Sequence, residues 1–270
     1  MDLAAYLQRI GWTGRVAPDR PTLQALVAHH AAAIPFENLD PLLGIPVALD
    51  LASIEAKLVH AGRGGYCFEQ NALFAEALGQ IGFDVTPLAA RVLWGLPDDA
   101  ITARSHMLLK VELAEGPVIA DVGFGGQTPT GTLRLEANVE QPTPHEPFRF
   151  VAIDDGWRLQ SRLGSEWTSL YRFDLQRQHP VDYLAPNHYL STHPNSHFVN
   201  HLIAARAAAD RRYALFDRDF AMHHLNGRTE RRVLGSAGDI REVLQQVFRI
   251  ALPGQPALDD RFAALPPSRG

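Results

Sequence analysis

A single cysteine, Cys67, stands among the 270 residues of the chain. It follows Gly64-Gly65-Tyr66 and opens a run of strong helix formers at residues 68–78. A thiol in that setting can act as a nucleophile. Thiolate is the reactive form, a helix N-terminus supplies positive potential and free N–H donors that favour it, and glycines let the backbone approach a ligand closely. The N–H of Cys67 itself is then placed to help stabilise an oxyanion. The competing reading is a small core hydrophobe, which is what most lone cysteines are. One cysteine forms no internal disulfide, so nothing in the count points to an oxidising compartment.

A thiolate nucleophile needs an imidazole partner, and the imidazole needs an orienting carboxylate or amide. His106 and Asp121 are the best candidates. His106 opens an apolar strand pattern at residues 107–113, and Asp121 closes another at 118–120, just before Gly123-Phe124-Gly125-Gly126. If the intervening turn centres on Glu115-Gly116, Asp121 falls opposite Lys110, on the sheet face of His106 but four residues, about 13 Å, away along the strand. Simple pairing leaves the two apart. A bulge, a strong twist or another turn centre has to close the gap.

The elements that must position these residues change in kind along the chain. Residues 1 to about 85 read as helices: Leu3, Leu7 and Ile10 recur at helical spacing, and Thr22 caps a second helix carrying Leu23, Leu26, Val27 and His30. A third runs over 53–60 until Gly62, and the helix after Cys67 is closed by Gly79 and Gly82. From about 85 to 173, β-rich runs at 91–94, 107–113, 118–122, 148–153, 157–161 and 169–173 predict a small antiparallel sheet or barrel. Beyond 187 helix and strand mix again. The pattern predicts a helix over 198–209, strands at 211–215 and 231–234, and a closing helix at 239–248 capped by Asp239.

Composition excludes several classes of function. With 46% hydrophobic and 20% charged residues the chain is soluble and globular, with a core shared among two or three packed domains. A net charge of −5 carries no footprint for nucleic acid. The start of the chain has an acidic second residue and no basic stretch, and nowhere do ~18 apolar residues run uninterrupted, so neither a leader nor a membrane span is expected and the location is read as cytoplasmic. Lys57 and Lys110 are the two lysines, which leaves no Walker motif. His193, His197 and His201 recur every four residues, with His223-His224 downstream, a spacing that could stack imidazoles for a metal. Pro194 and the lack of an H-E-x-x-H pattern favour a capped helix bearing polar histidines, and no metal is expected.

At this point the residues reach a family. Arg63-Gly64-Gly65-Tyr66-Cys67-Phe68-Glu69-Gln70-Asn71 resembles the signature of the arylamine N-acetyltransferases. Ile34-Pro35-Phe36-Glu37-Asn38-Leu39, Ser105-His106-Met107-Leu108-Leu109 and Asp121-Val122-Gly123-Phe124-Gly125-Gly126 are similar to further segments of that family in the same order. So are Ser191-Thr192-His193-Pro194-Asn195-Ser196-His197-Phe198 and Val243-Leu244-Gln245-Gln246-Val247-Phe248-Arg249-Ile250, so the resemblance covers nearly the whole chain. Two departures stand out: Ser105 where members often have threonine, and Lys110 inside the apolar strand.

The resemblance implies an α+β fold: an N-terminal helical bundle (1–85), a central antiparallel β-barrel (86–186) and a C-terminal α/β lid (187–270), with a cysteine-protease-like core. It implies a triad of Cys67, His106 and Asp121, acetyl-CoA as donor, and ping-pong transfer through a cysteine thioester to arylamines, arylhydrazines or N-hydroxyarylamines. Arylamines are largely neutral and nucleophilic near neutral pH, so an aromatic acceptor suits the chemistry. Phe36, Trp94, Phe124 and Phe198 are then candidates to line its pocket, and Ser105, Gly123, Gly125 and Gly126 candidates to meet CoA. Glu37, Asn38 and Glu69 are read as hydrogen-bonding residues near the site. The alternative for the same three residues is a thiol hydrolase or transglutaminase-like enzyme. A homo-oligomer is left open.

Overall fold

The structure, a computed structural model, describes residues 1–254 and 256–268; the final two positions of the expected third region lie outside the described residues. Helix α1 (Leu3–Arg9) is capped by Asp2 and α2 (Arg20–Ala33) by Asp19, whose carboxylate accepts the Thr22 N–H at 2.9 Å. Thr22 is thus inside the first turn of α2 and is not its cap. A two-residue strand β1 (Phe36–Glu37), a short α3 (Leu39–Leu42) and α4 (Leu51–Glu55) follow, and α4 continues into a π turn at Ala56–His60. Helix α5 (Cys67–Ile81) takes Gly79 in its stride and ends at Gly82, which adopts φ +106° as the left-handed cap.

The next strands are β2 (Asp84–Val92), β3 (Arg104–Glu112), β4 (Val118–Ala120), β5 (Leu133–Arg134), β6 (Phe148–Ile153), β7 (Gly156–Leu163) and β8 (Glu166–Phe173). They form one antiparallel sheet in the order β5-β4-β3-β2-β8-β7-β6. The chain after β5 then reaches β6: Asn138 N–H donates to Phe150 O at 2.7 Å, and Gln141 exchanges backbone hydrogen bonds with Phe148. The sheet therefore curls into a nearly closed barrel, filled by Leu88, Leu108, Phe148, Phe150, Leu159 and Tyr171. Alternate residues of β2 and β3 face the other way. Ala89, Met107, Leu109 and Val111 join Leu26, Leu73 and Phe74 in a core shared with α2 and α5, so β3 is apolar on both faces.

After α6 (Leu184–Thr192) and α7 (His197–Asn200) come β9 (Ile203–Ala208), β10 (Arg211–Phe216), β11 (Asp219–His224) and β12 (Thr229–Val233). Helix α8 (Ala237–Glu242) runs into a π turn at Val243–Val247, and α9 (Ala257–Ala263) follows. The helix expected over 198–209 is four residues long, and the alanine-rich remainder is β9. Intrinsic propensity loses here to pairing on both edges, with β1 on one side and β10 on the other. Strand β11 and helix α6 carry no clear sequence signal. Asp239 is not the cap of α8; Ser236 accepts the Asp239 N–H at 3.1 Å, and the Asp239 carboxylate receives the N–H groups of Gly235 and Ser236. Nor do His193, His197 and His201 share a helix face, because His193 ends α6 and His201 follows α7. No set of three His, Cys, Asp or Glu side chains able to hold a metal assembles among the described residues, and no helix there is long and apolar enough to cross a membrane.

Two features tie the glycine loop into this frame. Strand β1 pairs with β9 on one edge, Phe36 opposite Ala205, and meets the loop on the other, where Glu37 N–H donates to Gly65 O at 3.2 Å and Gly65 N–H to Pro35 O at 3.3 Å. A Cβ on Gly64 would lie 2.1 Å from Pro35 O. Gly64→Ala should therefore destabilise the protein by about 3 kcal/mol or more. Gly79, in the last turn of α5, has open space where a Cβ would stand, with nothing within 4 Å, and gives the opposite expectation. Gly79→Ala should stabilise by about 0.5–1 kcal/mol. Urea denaturation of the two variants checks both signs.

Candidate active site

Cys67 is the first residue of α5, so its backbone N–H is among the donors that the helix leaves unpaired. The loop before it is fixed by charge. Glu69, wholly inside the protein, accepts the Tyr66 N–H at 3.0 Å with one oxygen and the Lys57 ammonium at 2.7 Å with the other. Lys57 also meets Asp40 at 2.6 Å, and Arg63 bridges Asp40 at 2.9 Å and Glu37 at 2.7 Å. Burial pushes the Glu69 carboxyl up, and the Lys57 charge only partly offsets it. Burial works likewise against Lys57 and Arg63, but the surrounding carboxylates win and hold both firmly protonated. Two cations and three carboxylates thus fasten residues 37–40, 57 and 63–69 into one block. Sequence reasoning reads Glu37, Asn38 and Glu69 correctly as hydrogen bonders. It misses Lys57 and Arg63 as their partners, since nothing in the spacing brings 37, 40, 57, 63 and 69 together.

Neutral groups complete the support. Gln70 donates to Pro35 O at 2.9 Å and Gly65 O at 3.2 Å, and its own oxygen accepts from His30 Nε2 at 2.6 Å, while His30 Nδ1 meets the Tyr6 hydroxyl at 2.9 Å. Burial lowers the His30 pKa to about 4, so the ring is neutral. Nε2 carries its proton in the tautomer that satisfies both neighbours.

His106 and Asp121 do come together. Strand pairing sets Leu109 opposite Ala120 and Val111 opposite Val118, which centres the turn one residue earlier than Glu115-Gly116 implies. Continued by one step, that register brings Asp121 across from Leu108, two residues from His106 where the earlier register leaves four. A bulge between Ala90 and Arg91 leaves Ser105 unpaired beside His106. His106 Nε2 meets Asp121 Oδ2 at 2.7 Å. The other carboxylate oxygen accepts from Gly123 N–H at 2.9 Å and Asn71 Nδ2 at 3.1 Å. Asn71 also donates to Met107 O at 2.8 Å, so one side chain from α5 locks β3 to the Asp121 loop. It lies one helical turn after Cys67, the spacing that could have pointed to it.

Burial alone would lower the His106 pKa, but the Asp121 charge and hydrogen bond, with a smaller contribution from the nearby Cys67, raise it to about 10. Burial likewise works to raise the Asp121 carboxyl, and His106, Gly123 and Asn71 hold it below its usual range. The sulfur of Cys67 lies 3.6 Å from Ser105 O. With Nε2 engaged by Asp121, Nδ1 of the imidazole is left for the thiol.

Around this centre the sequence-predicted aromatics divide. Phe124 packs edge-on to His106, ring centroids 5.2 Å apart, with Tyr171 at 4.9 Å from the same imidazole. Phe198 lies 5.9 Å from Phe36 and 5.5 Å from Tyr66, the residue preceding Cys67. Phe36 also lies against Gly125, where a Cβ would come within 3.4 Å of its ring. Trp94 is different: it sits 46% exposed in the β2–β3 loop, without an aromatic partner among the described residues. Gly123 is required by space, since a Cβ there would lie 2.7 Å from Cys67 Cα, whereas one on Gly126 would meet nothing. Sequence reasoning misses Tyr171. Its buried hydroxyl has no hydrogen-bond partner at bonding distance among the described residues, yet burial and the nearby Asp121 charge raise its pKa well above normal.

The family model described as N-acetyltransferase matches residues 19–257. The chain is 45% identical over 256 residues to an arylamine N-acetyltransferase of Mycolicibacterium smegmatis, covering 93% of each sequence. Its fold superposes on the arylamine N-acetyltransferase of M. tuberculosis with a TM-score of 0.93 at 43% identity, over 97% of this chain and 99% of that one. The Mycobacterium marinum arylamine N-acetyltransferase in complex with CoA gives a TM-score of 0.93 at 41% identity, over 97% and 98%. Agreement of sequence and fold over nearly its full length shows that the chain belongs to the arylamine N-acetyltransferase family.

Proposed function

We propose that Cys67, His106 and Asp121 carry the acetyl-CoA-dependent acetylation of arylamines by this acyltransferase, in two half-reactions at one thiol. The observation that carries the reading is the His106–Asp121 hydrogen bond at 2.7 Å next to the sulfur of Cys67, which lies 3.6 Å from the carbonyl of Ser105, the residue before His106. In the first half-reaction the Cys67 thiolate attacks the thioester carbonyl, the Cys67 N–H and the positive end of α5 stabilise the oxyanion, and CoA leaves as its thiolate. The reaction is an exchange of one thioester for another, so little driving force is needed.

Acylation changes the histidine. Cys67 contributes to holding the imidazolium, and that contribution is lost when its sulfur becomes a neutral thioester. His106 then releases its proton more readily to the departing CoA thiolate. In the second half-reaction the neutral imidazole accepts the proton that the attacking amine must lose, the C–S bond breaks, and the thiolate–imidazolium pair is restored. Asp121 keeps the ring oriented throughout. Phe36, Phe124 and Phe198 are proposed to face the aryl group, with Ser105 and the 123–126 loop on the CoA side. A cytoplasmic location suits the donor, and the sequence-based division at about 85 and 186 is retained with the third region as a lid.

Incubation with acetyl-CoA alone should add one acetyl group to Cys67, seen by intact-mass spectrometry, and later addition of an arylamine should remove it as the N-acetyl product. Loss of the acetyl group to water at the same rate without amine would instead favour the hydrolase reading. Asp121→Asn is expected to lower turnover by on the order of 10³-fold or more with Cys67 still present. Its stability should also depend on pH in a definite sense. The His106 imidazolium stabilises the wild-type fold fully below the ordinary pKa of 6.5, and that contribution disappears as pH rises through about 10. The difference in melting temperature between wild type and Asp121→Asn should therefore narrow from neutral pH towards pH about 10. A constant difference would remove the ion pair from the account.

A further inference from the structure

A cavity of about 510 Å³ lies where α1, α2, the loops before and after β5 that carry Thr130 and His145, and the end of β9 meet, and it shares no lining residue with the Cys67 site. Its apolar walls are small: Ala28, Ala32 and Ala33 of α2 face Ala207, Ala208 and Ala209. Its polar side chains are Gln8, Arg9, Arg249, His29, His145 and Thr130, and no carboxylate lines it among the described residues. The histidines are occupied. His145 meets Thr130 Oγ1 at 2.9 Å and Ala208 O at 2.8 Å, and burial lowers its pKa, while His29 Nδ1 bonds Ile10 O at 3.0 Å.

The positive charge is uncompensated. Arg9 donates to the carbonyls of Leu58, Ala33 and Arg63, and has no acidic partner among the described residues. Those three bonds leave two of its five N–H groups. Arg206, which also lies 5.1 Å over the Tyr213 ring, donates among the described residues only to the carbonyls of Val247 and Ala32; burial and then the charge of Arg249 lower its pKa. Arg249 itself has neither a hydrogen bond nor an ion pair among the described residues and is exposed. Its backbone is held at φ +61°, one residue beyond the Phe248 cap of the π turn, in the conformation that glycine or asparagine adopts with least strain. An arginine there accepts both backbone strain and the repulsion of Arg206, which makes sense if an anion completes the charge.

We propose that this cavity is a second ligand site, taking a small organic carboxylate whose apolar body lies against the alanine walls and whose charge is held by Arg249 and Arg9. Carboxylate geometry matches a guanidinium fork, and alanine walls suit a compact ring or branched chain better than a hydrated inorganic ion.

The test is calorimetric titration of the full chain with benzoate and with benzamide, its neutral isostere. Benzoate should bind with Kd of about 1 mM, and benzamide about tenfold or more weaker. Arg249→Gly removes the charge and relieves the backbone, so it should melt no lower than the wild type and bind benzoate about tenfold or more weakly. Arg249→Asn repeats the test with a second residue at ease in this conformation, and Arg249→Lys should retain binding. No benzoate binding by the wild type, equal binding of the amide, or undiminished binding to Arg249→Gly and Arg249→Asn would each overturn the proposal. So would benzoate binding abolished by alkylation of Cys67, which would place the ligand at the catalytic site.

Discussion

A carboxylate with 1% of its surface exposed must be compensated locally or it protonates, and Asp121 is where this requirement organises the molecule. Its partners come from three separate pieces of chain: His106 from β3, Asn71 from α5 and Gly123 from the loop after β4. Each piece is held to the others through that one group. A helix that shifted along β3 would lose Asn71, and a hairpin that slipped register would lose His106. The charge is thus both the orienting group for the imidazole and the pin that joins helix α5 to the barrel wall.

The thiol side solves a different problem. A thiol at the start of a helix, in the nucleophilic role proposed for Cys67, needs a loop that approaches other backbone closely without collapsing onto it. Glycines allow the approach, with Gly64 against Pro35 O and Gly123 against Cys67 Cα. Rigidity comes from the buried charges of Glu37, Arg63 and Glu69 and the half-buried charges of Asp40 and Lys57, which are favourable only because each ion has its counterion at hydrogen-bonding distance. Strand β1 links this block to β9, and Leu39 and Leu42 carry it into the core built by Leu202, Phe220 and Phe248. The sheet of β9 to β12 is thus completed by a strand from the first region of the chain.

Legibility differed by element for physical reasons. Helix α5 was readable because strong helix formers and the left-handed Gly82 agree with its final environment, and β6 matched its predicted span. Strand β9 was misread because alanine favours helix when nothing else acts, while close packing between two neighbouring strands makes small side chains useful. Among the residues that gather around Cys67, the sequence singles out His106, Asp121, Phe36, Phe124 and Phe198 by type and position. Asn71, Gln70, His30 and Tyr171 do not stand out, because buried hydrogen-bonding residues look in sequence like ordinary polar or aromatic positions until their partners are in place.

By itself the sequence determined the kind of chemistry: one thiol at a glycine loop before a helix, a histidine and an aspartate at strand ends, and ordered segments resembling a single family. Those are properties of residue type and short-range order, which the chain states directly. Whether His106 touches Asp121 was decided only by tertiary structure. One residue in the position of the β3–β4 turn moves the aspartate by two positions along β3, and sequence does not specify a turn centre that finely. The buried charge block and the arginine-lined cavity belong to the same class. They depend on groups far apart in the chain meeting where water is excluded, and only the folded packing fixes which ones do.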